Sequence, residues 1–341
     1  MLALSLSYWQ VTTIKTLVVL AIVPAGAIIL GYTFLLKMMA HMQSRLGPME
    51  PGGFHGWFQL IGDGIKFMQK EDIIPAEADR RVFALAPLVI LISTFLIYVV
   101  VPAGPRLVVQ DLDVGIFFAL AVSSLSVVGV LMAGWGSANK YSLLGALRAA
   151  GQLIAYELPL VLAVVGVVIQ AGTMSLQGIV RAQADQAIFG VHAVGNPFLL
   201  TQFVGFILFL AAAQAELTQT PFDMPVAESE LVAGFMTEYS GFRFLFFFIS
   251  EFGTAFALAG IAATLYLGGW YQPWFRHGTM ADLLGPLVLG VKVMIVAFLI
   301  FWIRFTFPRF REDQLQTFAW KYLIPLSLVN ILVTGMLKVA L

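Results

Sequence analysis

The chain has 341 residues, 60% of them apolar and 11% charged, and its 19 basic and 19 acidic side chains give a formal net charge of zero. Soluble domains carry about 25% charged residues, so this composition excludes a globule with a polar coat and leaves lipid to cover most of the surface. The absence of cysteine excludes disulfides and thiolate-held iron-sulfur clusters on this chain, and electrical neutrality without a G-x-x-x-x-G-K or G-x-G-x-x-G pattern speaks against nucleic acid and nucleotides as ligands.

Apolar runs of roughly 18 residues or more can cross a hydrocarbon core of about 30 Å. Such runs recur at about 14–36, 82–101, 114–132, 148–170, 198–215, 242–267, 283–303 and 322–341. Unbroken apolarity of this length indicates helices, since a barrel would show short alternating segments. The fold class is therefore all-α integral membrane: one polytopic domain over 1–341, a bundle of about eight transmembrane helices, with strand content near zero. The first run contains Pro24-Ala25-Gly26-Ala27, which mimics a signal-cleavage site, but it continues to Leu36. It reads as a retained helix, with the mature chain starting near Met1.

Eight spans put both termini on one side. The loops at about 37–81, 133–147, 216–241 and 304–321, with their helix ends, hold thirteen of the nineteen Lys and Arg; the opposite side holds five, Arg276 among them, and Lys292 lies within a span. The positive-inside rule puts the thirteen in the cytoplasm and both termini outside, as in a bacterial inner membrane.

The first cytoplasmic loop is not plain coil. Phe54, Phe58, Ile61, Ile65 and Met68 step by fours and threes, with Gln59, Asp63, Lys66 and Lys70 on another face. This spacing predicts an amphipathic helix lying at the interface, with Trp57 at headgroup level.

The 148–170 span carries Glu157 nine residues after Arg148. That spacing is about 180° around a helix, so the two cannot pair within it. Glu157 needs a partner from another helix or from water, or else takes a proton-relay role. Arg148 and Arg304, near span ends, read as surface anchors.

The third cytoplasmic loop is acidic. Asp223 is placed to cap a helix starting at Met224 and Pro225 and running to about Glu238. On that helix Glu228 and Glu230 stand about 200° apart, so one faces a cavity and the other water or another subunit. Farther on, Glu251 poses the same question as Glu157, and Lys292 sits about 15 Å from either end of its span. The four histidines, His41, His55, His192 and His277, all fall in loops, unlike the haem ligands of a membrane cytochrome. A charged interior without redox ligands leaves two classes open: a stand-alone ion transporter, or a membrane piece of a larger energy-converting enzyme. The lack of an internal repeat weakens the first.

Several collinear motifs narrow the choice. They are Gln43-Ser44-Arg45-Leu46-Gly47-Pro48, Asp63-Gly64-Ile65-Lys66, and the stretch from Gly134-Trp135-Gly136-Ser137 through Asn139-Lys140-Tyr141 to Leu147-Arg148. Tyr156-Glu157, Ala215-Glu216, Pro221-Phe222-Asp223, Ala227-Glu228-Ser229-Glu230, Trp302-Ile303-Arg304 and Pro308-Arg309-Phe310-Arg311 follow. Over nearly its whole length the chain resembles the quinone-site membrane subunit family of respiratory complex I, the proton-pumping NADH:quinone oxidoreductase.

The resemblance implies a subunit that seals the membrane side of a quinone tunnel and carries buried carboxylates leading inward from it. Glu157, Glu216, Asp223, Glu228 and Glu230 would transfer protons, with Asp63 beside them and Lys292 as a central link. Gln43, Arg45, Trp57, Asp63, Phe222, Arg309 and Arg311 would contact quinone, which is substrate. FMN, haem and iron-sulfur clusters would sit on partners: peripheral-arm iron-sulfur and quinone-site subunits at the cytoplasmic loops, and small and antiporter-like subunits in the membrane. A related subunit of a membrane-bound hydrogenase or ferredoxin-type complex is the neighbouring reading. Two departures stand out: Leu35-Leu36-Lys37 replaces a usual Glu-Arg-Lys, and Gln219-Thr220 stands where an Arg usually precedes Pro-Phe-Asp. Together they imply a rearranged charge network near the tunnel.

Overall fold

A computed structural model describes residues 8–185, 195–273 and 279–340. His192, Arg276, His277 and the two chain ends lie outside the described residues. Within them the chain is helical, without strands. Seven helices are long and apolar enough to cross a membrane: α1 (Tyr8–Met42), α3 (Arg80–Ile97), α4 (Gly115–Gly136), α5 (Lys140–Ala171), α9 (Gly241–Tyr266), α10 (Thr279–Thr306) and α11 (Glu312–Ala340). Between them lie the amphipathic α2 (Gln59–Gln69), α6 (Leu176–Asp185), α7 (Phe203–Glu216) and the single turn α8 (Glu228–Leu231).

The expected eighth span is the shorter α7, preceded by a separate turn at Phe198–Thr201. Gln202 breaks the two apart because its side chain is committed elsewhere. Its amide donates to Thr334 Oγ1 at 2.7 Å and accepts from Asn330 Nδ2 at 3.0 Å, tying α7 to α11.

Sequence and structure differ most at helix ends, because an apolar run marks the part in lipid and a helix can continue past it. α5 begins eight residues before its apolar run, where Asn139 Oδ1 accepts the Tyr141 N–H at 2.8 Å, and it stops at the left-handed Gly172. α3 likewise starts at its cap, Asp79. α1 runs on to Met42 through a π-helical stretch, Gly31–Met38. α2 begins later than its hydrophobic pattern, after a short turn at Phe54–Gly56.

The core sits on α5 and α9. Over half of each apolar window, 56%, is buried, against 17% for α11. Tyr156, Leu160 and Val167 of α5 meet Phe209 of α7, Phe252 and Tyr266 of α9, and Phe301 of α10. Helices meeting this way inside lipid rely on close packing rather than on water exclusion.

The helix expected from Met224 to Glu238 does not form. Asp223 does not cap it, because its carboxylate takes the Arg309 guanidinium at 3.2 Å instead. The chain after α8 turns back at Gly234, φ 56°, where a Cβ would fall 1.8 Å from the Pro225 carbonyl oxygen. This fold-back presses Gly234 and Phe235 against Gly145 of α5, whose own added Cβ would meet Gly234 Cα at 2.7 Å.

Gly145→Ala is therefore expected to cost about 1–3 kcal/mol by overpacking. Gly151→Ala, on the same helix with nothing within 4 Å, should be neutral or gain up to about 1 kcal/mol. Thermal unfolding of the two variants in detergent, side by side, checks the contrast.

Candidate functional site

The end of α7 delivers Glu216 to a cavity of about 400 Å³, and the turn that follows brings Gln219 and Asp223 to the same walls. α8 supplies Glu228, α9 supplies Glu251, and the far end of α10 with its following loop supplies Arg304 and Arg309. Four acids and two bases, from six stretches of chain, thus share one enclosure. Ser93 of α3, Ser123 and Ser126 of α4, and Ser250 and Thr254 of α9 line the same cavity with hydroxyls.

The turn is pinned from α5. Gln152 Nε2 donates to the carbonyls of Ala215 and Phe222, both at 2.8 Å, so the two ends of the turn are held at one amide. Phe222 packs its ring on Tyr156, Phe310 and Phe318 with centroids 5.2, 5.5 and 6.3 Å away. Tyr156 in turn donates to the Leu315 carbonyl at 2.9 Å, fixing the start of α11.

The acids fall into distinct electrostatic settings. Arg304 Nη1 meets Glu251 Oε1 at 3.0 Å, and the Gln219 amide donates to that same oxygen at 3.4 Å. Asp223 is held by Arg309; burial pushes its carboxyl above the usual range, while Arg309 and Arg304 pull it back down. Glu216 has no ion pair or side-chain hydrogen bond with a described residue, and it lies within electrostatic reach of Glu157, which also has none. Two neighbouring acids without fixed partners are free to hold and pass a proton.

The expected site residues divide accordingly. Glu216, Asp223, Glu228 and Arg309 come together at the cavity, and Glu157 stands behind Glu216. Glu228 and Glu230 do part as their spacing requires: Glu228 lines the cavity while Glu230 takes Arg148 Nη1 at 2.6 Å. Arg148 and Arg304 are not surface anchors. Because α5 starts early and α10 ends late, both arginines lie inside their helices, where Arg148 also approaches Glu312 at 3.7 Å.

Lys292 is elsewhere. It donates to the carbonyls of Gly269 and Tyr271 at 2.8 and 2.9 Å, in the turn that follows α9, and borders a separate cavity of about 300 Å³.

The first-loop residues form their own group. Arg45 donates to Gln43 at 2.8 Å, Trp57 stacks on Tyr32 at 5.2 Å, and Asp63 is shared by Gln59 and Lys66 at 3.3 and 3.4 Å. Phe58, just ahead of α2, and Ile61, Ile65 and Met68 of α2 are exposed, as an interfacial face requires. Arg311 is an exposed partner of Asp313 at 3.0 Å. Reasoning from sequence missed the five hydroxyl residues lining the cavity, because Ser and Thr inside apolar spans look like ordinary helix-packing residues.

The chain matches the family model described as NADH dehydrogenase over residues 14–335. It is 46% identical over 302 residues to the NADH-quinone oxidoreductase subunit designated H from Geobacillus kaustophilus, covering 89% of this chain and 86% of that one. Over 319 residues it is 44% identical to the protein of that name from Anoxybacillus flavithermus, covering 94% and 92%.

Removing Arg309 takes away the leading downward pull on Asp223 and leaves its burial in place. In Arg309→Gln the protonated Asp223 carboxyl band in infrared difference spectra is expected to persist to higher pH than in the wild type. An unchanged titration would mean that Arg309 does not set the charge of this acid.

Proposed function

The chain belongs to the NADH dehydrogenase family, and on that footing we propose that it is the membrane subunit of a proton-translocating NADH-quinone oxidoreductase in a bacterial inner membrane. Electron carriers belong to partner subunits in this reading, in keeping with a sequence that contains no cysteine. What the chain contributes is a wall for quinone and a set of carboxylates that respond to it.

The observation that carries the reading is the meeting of Glu216, Asp223, Glu228 and Glu251 in one cavity that hydroxyls also line. A quinone reduced beside that cavity gains negative charge and then protons. Either change alters the free energy of ionised carboxylates nearby, and those without a fixed cation respond most. Glu216, backed by Glu157, is the acid best placed to take up and release the proton. Asp223 and Glu228 sit on the loop side of it, with Arg309 balancing Asp223.

The quinone-facing wall is assigned to Gln43, Arg45, the α2 face with Trp57 and Asp63, Phe222, Arg309 and Arg311. Of these, Arg309 borders the acidic cavity itself. Phe222 acts from within the aromatic cluster, holding the turn that carries Asp223. The cytoplasmic loops would dock the iron-sulfur subunits, both termini would face outward, and antiporter-like subunits would adjoin the bundle. Glu230 serves as a strut to Arg148, and Lys292 serves any proton route only through its own separate cavity.

Glu216→Gln and Glu228→Gln are expected to lower quinone-linked turnover on the order of tenfold or more, with the complex still migrating intact on a native gel. Wild-type turnover and pumping in both variants would remove these acids from the path. Migration of the chain alone, without iron-sulfur or antiporter-like partners, would overturn the assembly.

A further inference from the structure

Gln219 is 1% exposed and lines the acidic cavity, yet its side-chain oxygen has no hydrogen-bond partner among the described residues. Its backbone is fixed on both sides: its N–H donates to the Gln214 carbonyl at 3.3 Å, and its own carbonyl accepts the Phe222 N–H at 2.8 Å. Its side-chain nitrogen donates to Glu251 Oε1 at 3.4 Å, which leaves Oε1 buried and unpaired. A desolvated amide oxygen needs a donor, and a polar cavity of about 400 Å³ has room for water to provide one.

The amide has two orientations with opposite hydrogen-bonding sense. Toward an ionised Glu251, which can only accept, it must present its NH2 group. Toward a protonated Glu251, which can donate, the turned amide presents its oxygen. The Arg304 guanidinium, which only donates, lies 3.0 Å from that same Glu251 oxygen. Glu216 stands three residues earlier on the same turn and faces the same cavity.

We infer that Gln219 is a positioning residue for proton transfer across this cavity: it holds the water that connects Glu216 with Glu251 and turns over with the charge of Glu251. The inference rests on the function proposed above. In the step itself one proton leaves Glu216 for the water, and the same water gives one proton to the Glu251 carboxylate. The water is restored and no electron moves. The charged groups around the amide are Glu216 from α7, Asp223 from the turn, Glu228 from α8, Glu251 from α9, Arg304 from α10 and Arg309 after it, with Glu157 of α5 acting on Glu216.

The test is the pH profile of quinone reduction by the assembled complex in membrane vesicles, for Gln219→Leu, Gln219→Glu and Glu216→Gln. Gln219→Leu keeps the volume and removes both hydrogen-bonding senses, so turnover falls about tenfold at every pH. Gln219→Glu is slow at alkaline pH and recovers to within about threefold of wild type at acid pH, where its protonated carboxyl again offers one donor and one acceptor.

A wild-type profile for Gln219→Leu, with Glu216→Gln slow, would overturn the inference and spare the proposed function. A loss in Gln219→Glu that does not vary with pH would make the residue merely structural. Wild-type turnover in Glu216→Gln would overturn the proposed function and the inference together. Should Gln219→Leu fail to assemble, the profile of Gln219→Glu decides alone.

Discussion

A charge inside a bilayer must be matched by something the protein itself supplies, and that constraint organises this structure. Lipid offers no counter-ion and no hydrogen bond, so each intramembrane ionisable group is paired, capped or placed on a cavity. Lys292 is satisfied by backbone carbonyls in the turn that follows α9, and Glu251 by an arginine from α10. Asp223, where the loop enters, takes Arg309. Glu216, on the cavity, and Glu157, within its electrostatic reach, have no ion pair or side-chain hydrogen bond with a described residue. A fixed partner restrains an acid's exchange of protons, so the two that lack one are the less restrained.

That arrangement depends on a short helix and a held turn. α7, at 14 residues, is about 21 Å long at 1.5 Å per residue, less than a membrane core. The chain turns directly after its last residue, held against α5. A turn there exposes backbone carbonyls that water cannot reach freely. Gln152 and Gln214 answer for three of them, those of Ala215, Phe222 and Thr220, each at 2.8 Å. The buried glutamines are structural consequences of ending a helix early, and the acids of the cavity occupy the space that the early ending opens.

The bundle was legible in the sequence because lipid imposes length and apolarity on whatever crosses it, and both are properties of a linear string. Helix ends were less legible. Caps such as Asn139 and Asp79 act locally, but the helix they begin continues through polar residues that a search for apolar runs discards. At the site, angular spacing correctly separated Glu228 from Glu230 and Glu157 from Arg148, since both follow from one helix's geometry. Two of the errors came from partners distant in the chain. Arg304 read as an anchor because its partner, Glu251, is 53 residues away, and Asp223 read as a cap because the competing Arg309 is 86 residues away. No local rule contains those pairings.

The charges the chain lacks can now be set against the ones it has. The stretch ahead of Pro221-Phe222-Asp223 carries no arginine, yet a cation still reaches Glu251 there, delivered by Arg304 from the facing helix. An arginine at position 219 would put a second guanidinium beside that carboxylate and fill part of the cavity with a group that can only donate. Gln219 brings no charge and one acceptor, so the carboxylate keeps a single fixed partner and the cavity keeps an oxygen that faces it. Leu35 and Leu36 carry no charge, and Lys37 turns to the Pro48 carbonyl and Met49 of the first loop. Near the end of α1 the remaining base thus supports a loop rather than balancing an acid. With no charge from Leu35, Leu36 or Gln219, the ion pairs at this site come from Arg304 and Arg309 alone among the described residues.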